Sequence, residues 1–178
     1  LTRTAMVVDR DYVEARIVVG LPARGRRILA RQAEEIFFKE IPELVSAALT
    51  YSNLDHNLLR EFVDLAEDAG FIRDSLSEKG LAAFVKDGSI LPRISGVDDR
   101  PLKKDEVVPF QSPSELRISF DCPHAGPVEG MGVPEGVTLI VGGGYHGKST
   151  LLNALEKGVY NHIPGDGREF VITGADAV

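Results

Sequence analysis

A single cysteine, Cys122, stands in 178 residues, so no internal disulfide can form, which fits a reducing cytosol. No apolar run approaches the length needed to cross a bilayer, and the N-terminus lacks a charged-then-apolar signal pattern. Positive charge is in deficit, with 20 Lys and Arg against 27 Asp and Glu and a net charge of −7. That balance argues against an overall electrostatic grip on nucleic acid and leaves room only for a local basic patch. Internal repeats and low-complexity segments are absent. These absences predict a soluble, cytoplasmic protein with no membrane partner. What is present is an ordinary globular balance, 43% hydrophobic and 26% charged, in a chain long enough for one domain or two small ones. It opens at Leu1 rather than Met, directly in strand-like sequence, so an upstream part is expected.

In "TAMVVDRDYVEARIVVGL" a polar turn at Asp9 to Asp11 separates two apolar runs, and Val13, Ala15, Ile17 and Val19 alternate with Glu14, Arg16 and Val18. This predicts a β-hairpin. Ile28, Leu29, Ala33, Ile36 and Phe37 then keep helical spacing to about Lys39, and Pro42 suits the first turn of another helix. Leu54, Leu58, Leu59, Phe62, Leu65 and Ala66 form a further helical face, with Ser52 or Asn53 as N-cap and Gly70 as the stop. "LAAFVKDGSILPR" places two short apolar runs around Asp87 and Gly88, a hairpin or tight loop. Residues 92–115, rich in proline and charge, are expected to connect an N-terminal α+β region, 1–110, to a second domain, 111–178.

In that second part Leu116 to Phe120 and Val137 to Val141 read as strands and Lys148 to Glu156 as a helix. Between the last two lies "VGGGYHGKST", which has the G-x-x-x-x-G-K-[ST] spacing of a phosphate-binding loop. Glycines let the backbone curl around phosphate oxygens, and amide N–H groups at the helix N-terminus supply donors in a positive dipole field. The residues expected to hold the nucleotide are Gly142, Gly143, Gly144, Tyr145, His146, Gly147, Lys148, Ser149 and Thr150. Lys148 would reach the β- and γ-phosphates as the catalytic cation, and the Ser149 hydroxyl would bind Mg²⁺.

"GREFVITGADAV", through Gly167, Glu169 and Gly174, resembles the glycine–glutamate–strand–glycine pattern that follows this helix in ABC-type ATPases, and "GPVEGMGVPEGVTLIVGGG" resembles their lead-in. With "YNHIPGDGRE", "VGLPARGRRILARQA" and "FVKDGSILPRISGVDDRPL", nearly the whole chain is similar to the predicted ATPases of the ABC class. The resemblance implies a mixed α+β N-terminal region followed by the beginning of a P-loop NTPase core of α/β class. It also implies ATP and Mg²⁺ as ligands, a homodimer closing through paired cores, and a full chain much longer than this one.

The loop departs from the ABC form G-x-x-G-x-G-K-[ST]-[ST], because Tyr145 replaces the middle glycine and His146 precedes Gly147. If the position needs a positive φ, tyrosine carries a steric cost that glycine does not. His146 could lean on a phosphate and Tyr145 pack on a ribose or a partner; two solvent-facing loop side chains are the plainer account. Beyond the loop helix the acids are Asp166, Glu169 and Asp176, none ending an apolar strand of Walker B type, and "PGDG" around Asp166 reads as a turn. The expectation is a phosphate grip without the visible hydrolytic half, inactive by itself. "ISGVDD" at 94–99 precedes the loop and is taken as coincidence.

Arg24, Arg26, Arg27 and Arg31 crowd the start of the first helix, where positive charge opposes the helix dipole. Their counter-charge could be a nucleotide phosphate, RNA, or the acidic face of Glu61, Asp64, Glu67 and Asp68, and an internal or solvated arrangement is the plainest. Cys122 and His124 in "DCPH" are too few for a metal site. Phe120 or His124 stands where the ABC aromatic stacks on adenine, although a strand phenylalanine is more often core. Two functions survive: an ABC-class ATPase, or a nucleotide-gated RNA- or protein-binding module with little turnover. A GTPase or small-molecule kinase is weaker, since N-K-x-D is absent.

Overall fold

A computed structural model describes residues 5–103 and 105–177; Thr4, which opens the first predicted hairpin stretch, lies outside the described residues. Two compact units are present, one built from Arg3–Leu59 and the other mainly from Arg60–Val178.

In the first unit the expected hairpin forms, β1 (Met6–Val8) against β2 (Val13–Ala15), closed by Asp9 N–H donating to the Tyr12 carbonyl at 2.9 Å. It is shorter than its alternation suggests, since Ile17 and Val18 leave the ladder and are exposed. A second, two-residue hairpin, β3 (Ala23–Arg24) and β4 (Arg27–Ile28), turns at Gly25 with φ 64°. The expected helices follow: α1 (Ala30–Glu35) passes through a π-helical turn into α2 (Ile41–Leu49), whose first turn holds Pro42. None of the described residues of this unit is buried.

α3 (His56–Leu76) corrects the sequence at both ends. Its cap is Asp55, whose Oδ1 accepts from the Asn57 and Leu58 N–H groups at 2.9 and 3.1 Å, rather than Ser52 or Asn53. Gly70 does not stop it. A mid-helix glycine costs roughly 1 kcal/mol, less than the ~1.5–3 kcal/mol from burying each of Ile72 and Leu76, which continue the apolar stripe and are both buried. The chain turns at Gly80, φ 64°.

The second unit is an antiparallel sheet in the order β10–β5–β9–β8, built from β5 (Leu81–Lys86), β8 (Arg117–Cys122), β9 (Gly126–Pro134) and β10 (Val171–Thr173). Strand side chains alternate between faces, and both faces are covered. Phe84, Phe120, Val128 and Ile172 pack with Ala69, Ile72 and Leu76 of α3, whereas Val85, Met131 and Val171 pack with Leu151, Ala154 and Leu155 of α4 (Lys148–Lys157). Gly130 in β9 makes room for the Phe84 ring, which a Cβ at 130 would meet at 2.7 Å. Asp87 and Gly88 form a tight turn, not a hairpin, because Ser89 to Leu91 leave the sheet. Within the expected connector a hairpin forms, β6 (Arg93–Ser95) with β7 (Asp98–Pro101), so "ISGVDD" is its turn. The strand read for Val137 to Val141 is not formed: no described strand pairs with it, and Val137, Leu139 and Val141 stand exposed. Its apolar alternation needs a pairing neighbour, and neither edge strand of the antiparallel sheet, β8 or β10, pairs with it.

Candidate functional site

The loop read from the sequence sits at the free end of a helix whose other end is locked. Arg73 of α3 donates to the Gly158 carbonyl (3.3 Å), the Thr173 carbonyl (3.3 Å) and the Asn161 side chain (2.8 Å), and Thr173 donates from its hydroxyl to the Leu155 carbonyl at 2.6 Å. These contacts satisfy carbonyls that a helix C-terminus leaves open and place a cation where the dipole is negative. Ala154, fully buried, pins the middle of α4 against the sheet. The N-terminal turn projects beyond this anchor with the loop residues 142–147 exposed.

Gly147 caps the helix in the left-handed region, φ 77°, and no side chain caps it. Among the described residues nothing accepts a hydrogen bond from the main-chain N–H groups of residues 142–150; the first such bond runs from Leu151 to the Gly147 carbonyl. No acid lies in the first turn of α4. The result is a row of unpaired donors at the positive end of a helix, chemistry that suits a phosphate chain. Lys148 folds back so that its ammonium donates to the Gly143 carbonyl, beside the same donors. The Ser149 hydroxyl is exposed one residue into the helix, a single oxygen for a divalent cation. His146 lies over the loop, its Cε1 3.2 Å from where a Cβ at Gly143 would be. Tyr145 has φ 61°; the position does need the left-handed backbone that the glycine of the ABC form supplies, and the tyrosine side chain is 110% exposed. Thr150 is half-buried. The structure thus brings Gly142 to Thr150 together on one surface.

Of the two aromatics expected upstream, Phe120 is not available. Phe120 is 2% exposed and packs edge-on against Phe84 at 5.0 Å. His124 is held by α3: Nε2 lies 2.6 Å from Glu67 and Nδ1 3.6 Å from Asp64, and the Glu67 hydrogen bond raises its pKa above the ordinary value. Beneath it the buried Asp68 carboxylate accepts from the His124 and Ala125 N–H groups at 2.9 and 2.8 Å. Cys122 is buried, its thiol pushed up to about 11 by desolvation with Asp68 and Asp121 nearby. "DCPH" is therefore a pinned turn, and no group of three or more metal-ligating side chains occurs among the described residues.

Asp166 does more than shape its turn. It accepts from Arg93 Nη2 and meets His162 Nδ1, both at 2.7 Å; burial pushes its pKa up, and His162 with Arg93 outweighs this and holds it below the usual carboxylate range. Arg93, His162 and the buried Arg168, which donates twice to the Leu91 carbonyl, escaped the sequence reading. Their signal is spread over segments some seventy residues apart that only the fold joins. The four arginines are not gathered on a helix: Arg24 and Arg27 oppose each other across β3–β4, Arg26 is in its turn, and Arg31 alone is in α1. None makes an ion pair with a described residue, so the internal arrangement is not found. Two of the acids proposed for them, Asp64 and Glu67, face His124.

A family model described as the P-loop domain of ABC ATPases matches residues 55–178, and one described as the N-terminal part of the ATPases of the ABC class matches residues 1–52. The chain belongs to the ABC-class P-loop ATPase family. The two ABC-class matches meet at residues 52–55, close to the structural division after Leu59. The chain is also 31% identical over 161 residues to an uncharacterized protein of Methanocaldococcus jannaschii. That match covers 83% of this chain and 35% of the relative, so the chain spans about a third of the length of the relative it matches. Among the described residues no helix is long and apolar enough to cross a membrane.

Proposed function

We propose that this ABC-class protein binds Mg·ATP through Gly142, Gly143, Gly144, Tyr145, His146, Gly147, Lys148, Ser149 and Thr150, and that the whole protein hydrolyses it in the cytoplasm as a homodimer closing through its nucleotide-binding cores. Residues 111–178 form the beginning of that core, to which β5 adds a central strand. The observation that carries the reading is the row of unpaired N–H donors at the free end of α4, with Lys148 beside it. Turning from the Gly143 carbonyl to a phosphate oxygen, Lys148 exchanges a neutral acceptor for a charged one, and the loop amides fix the chain's orientation. Ser149 supplies one oxygen to Mg²⁺, whose charge offsets that of the phosphates. Replacing Lys148 with Ala removes a charge-assisted contact of ~1.5–3 kcal/mol, roughly tenfold or more in affinity. Equal ATP titrations for the Lys148→Ala protein and its parent would sink the assignment.

A second reading, a nucleotide-gated module that holds RNA, rests on a separate observation. Like charges directly opposed in a hairpin destabilise it, and Arg24 opposite Arg27 has no anionic partner among the described residues. A polyanion would offset that repulsion.

A further inference from the structure

The loop accounts for the phosphates of a nucleotide and leaves open where its nucleoside half lies. At the place implied by the ABC resemblance Phe120 is in the core, and the His124 ring is tied by its edge to Glu67. A different surface leads directly away from the loop. Residues 150, 153 and 157 recur at helical spacing on one flank of α4, next to the stripe of Leu151, Ala154 and Leu155 that faces the sheet. This flank and the β6–β7 hairpin enclose a cleft of about 420 Å³, lined by Thr150, Asn153 and Lys157 on one side and Ser95 and Asp99 on the other. That volume is in the range of small-ligand sites. Thr150 follows Ser149 directly, and the cleft extends roughly 10 Å along α4 from there, at 1.5 Å per residue.

The walls specify the kind of ligand. Lys157 bridges the cleft to Asp99 at 2.6 Å, and Arg93 is neutralised by Asp166 at 2.7 Å. Glu156 and Arg168 also line the cleft and add one charge of each sign, so its walls hold no excess of positive charge to trap a second free phosphate. Asn153, Ser95 and Thr150 offer uncharged donors and acceptors of the sort that sugar hydroxyls and base edges use. Arg168, 2% exposed, lines the same cleft, and its guanidinium is bonded only to the Leu91 carbonyl, with no carboxylate at ion-pair distance among the described residues. No aromatic side chain lines it, so recognition there is by hydrogen bonds rather than stacking.

We infer that the cleft between α4 and the β6–β7 hairpin receives the nucleoside half of the nucleotide whose phosphates the loop holds. This rests on the phosphate-loop reading and adds to it a subsite of the sugar and base, with Asn153 and Ser95 as the contacts and the Lys157–Asp99 pair as its far wall. The test separates the two halves of the ligand. Mg·ATP and magnesium tripolyphosphate, which has no nucleoside, are titrated into the full protein and into Asn153→Trp, Asn153→Ala, Tyr145→Ala and Lys148→Ala. Asn153 is exposed, so its variants should melt with the parent. Asn153→Trp fills the cleft and is expected to weaken ATP about tenfold while tripolyphosphate stays within twofold; Asn153→Ala should show a smaller loss with the same selectivity. Unchanged ATP affinity in Asn153→Trp, or equal loss of both ligands, overturns the inference. So does a selective ATP loss in Tyr145→Ala with none in the cleft variants, which would put the nucleoside against that exposed ring. Lys148→Ala is expected to weaken both ligands; if it weakens neither, the loop assignment itself fails, a result distinguishable from failure of the cleft alone.

Discussion

Tyr145 is the residue at which the loop departs from its family's glycine, and its backbone makes a quantitative prediction. At φ 61° an L-residue with a Cβ sits in the left-handed region, which costs roughly 1–2 kcal/mol relative to a residue free to adopt it. The side chain is fully exposed, so removing it forfeits no packing. Tyr145→Gly should remove the strain and return ~0.4–1 kcal/mol through the greater freedom of the unfolded chain. The net expectation is a protein as stable as the parent or up to about 1.6 kcal/mol more stable. Tyr145→Asn, tolerant of this region, should resemble the parent, and Tyr145→Val, β-branched and least tolerant, should lose stability. Urea unfolding of the four full-length proteins, compared at constant slope, reads the differences as shifts in midpoint. The glycine variant should also bind Mg·ATP no more tightly, since a loop that samples more conformations must be ordered on binding. A loss of more than about 1 kcal/mol in Tyr145→Gly would refute the reasoning, because it would mean that the phenol ring packs against something in the native protein.

Arg73→Met should destabilise the protein by about 2 kcal/mol in urea unfolding, since it strips charge-assisted hydrogen bonds from the end of α4; an unchanged midpoint would show that α4 is held by packing alone. His124 has its pKa raised by Glu67, so its ion-pair contribution is full below the unfolded value of about 6.5 and is lost as pH rises through the higher folded value. The melting difference between the parent and His124→Gln should therefore shrink on going from acid to alkaline solution, and a difference that grows would reverse the assignment. Cys122, buried with its pKa near 11, should resist alkylation in the native protein at pH 8 and react on unfolding, as mass spectrometry can follow; rapid native labelling would contradict its placement. Replacing Arg24, Arg26 and Arg27 with Ala should weaken single-stranded RNA binding and flatten its salt dependence if the second reading holds; a parent that binds no RNA at low salt removes that reading.

What the sequence by itself determined was whatever depends on neighbours a few residues away. The G-x-x-x-x-G-K-[ST] spacing announced the loop and its helix, because glycine spacing and helix nucleation are local; the positive φ at position 145 was a condition that the backbone itself met. The 3.6-residue stripes before Leu49 and the Asp9 to Asp11 turn were legible for the same reason. Tertiary structure decided the rest. Gly70 reads locally as a stop, yet Ile72 and Leu76 find Phe84 and Ile172 beneath them, and burial outweighs the intrinsic cost of glycine. Val137 to Val141 has the alternation of a strand, but a strand exists only when another pairs with it. Phe120 read more readily as core than as a platform for a base, and the sheet settled it against Phe84. Arg93, Asp166 and His162, and the cleft walled by Asn153 and Ser95, join segments far apart in the chain. No local pattern encodes such a meeting, because it follows from how α4 and the β6–β7 hairpin are set by the sheet between them and α3.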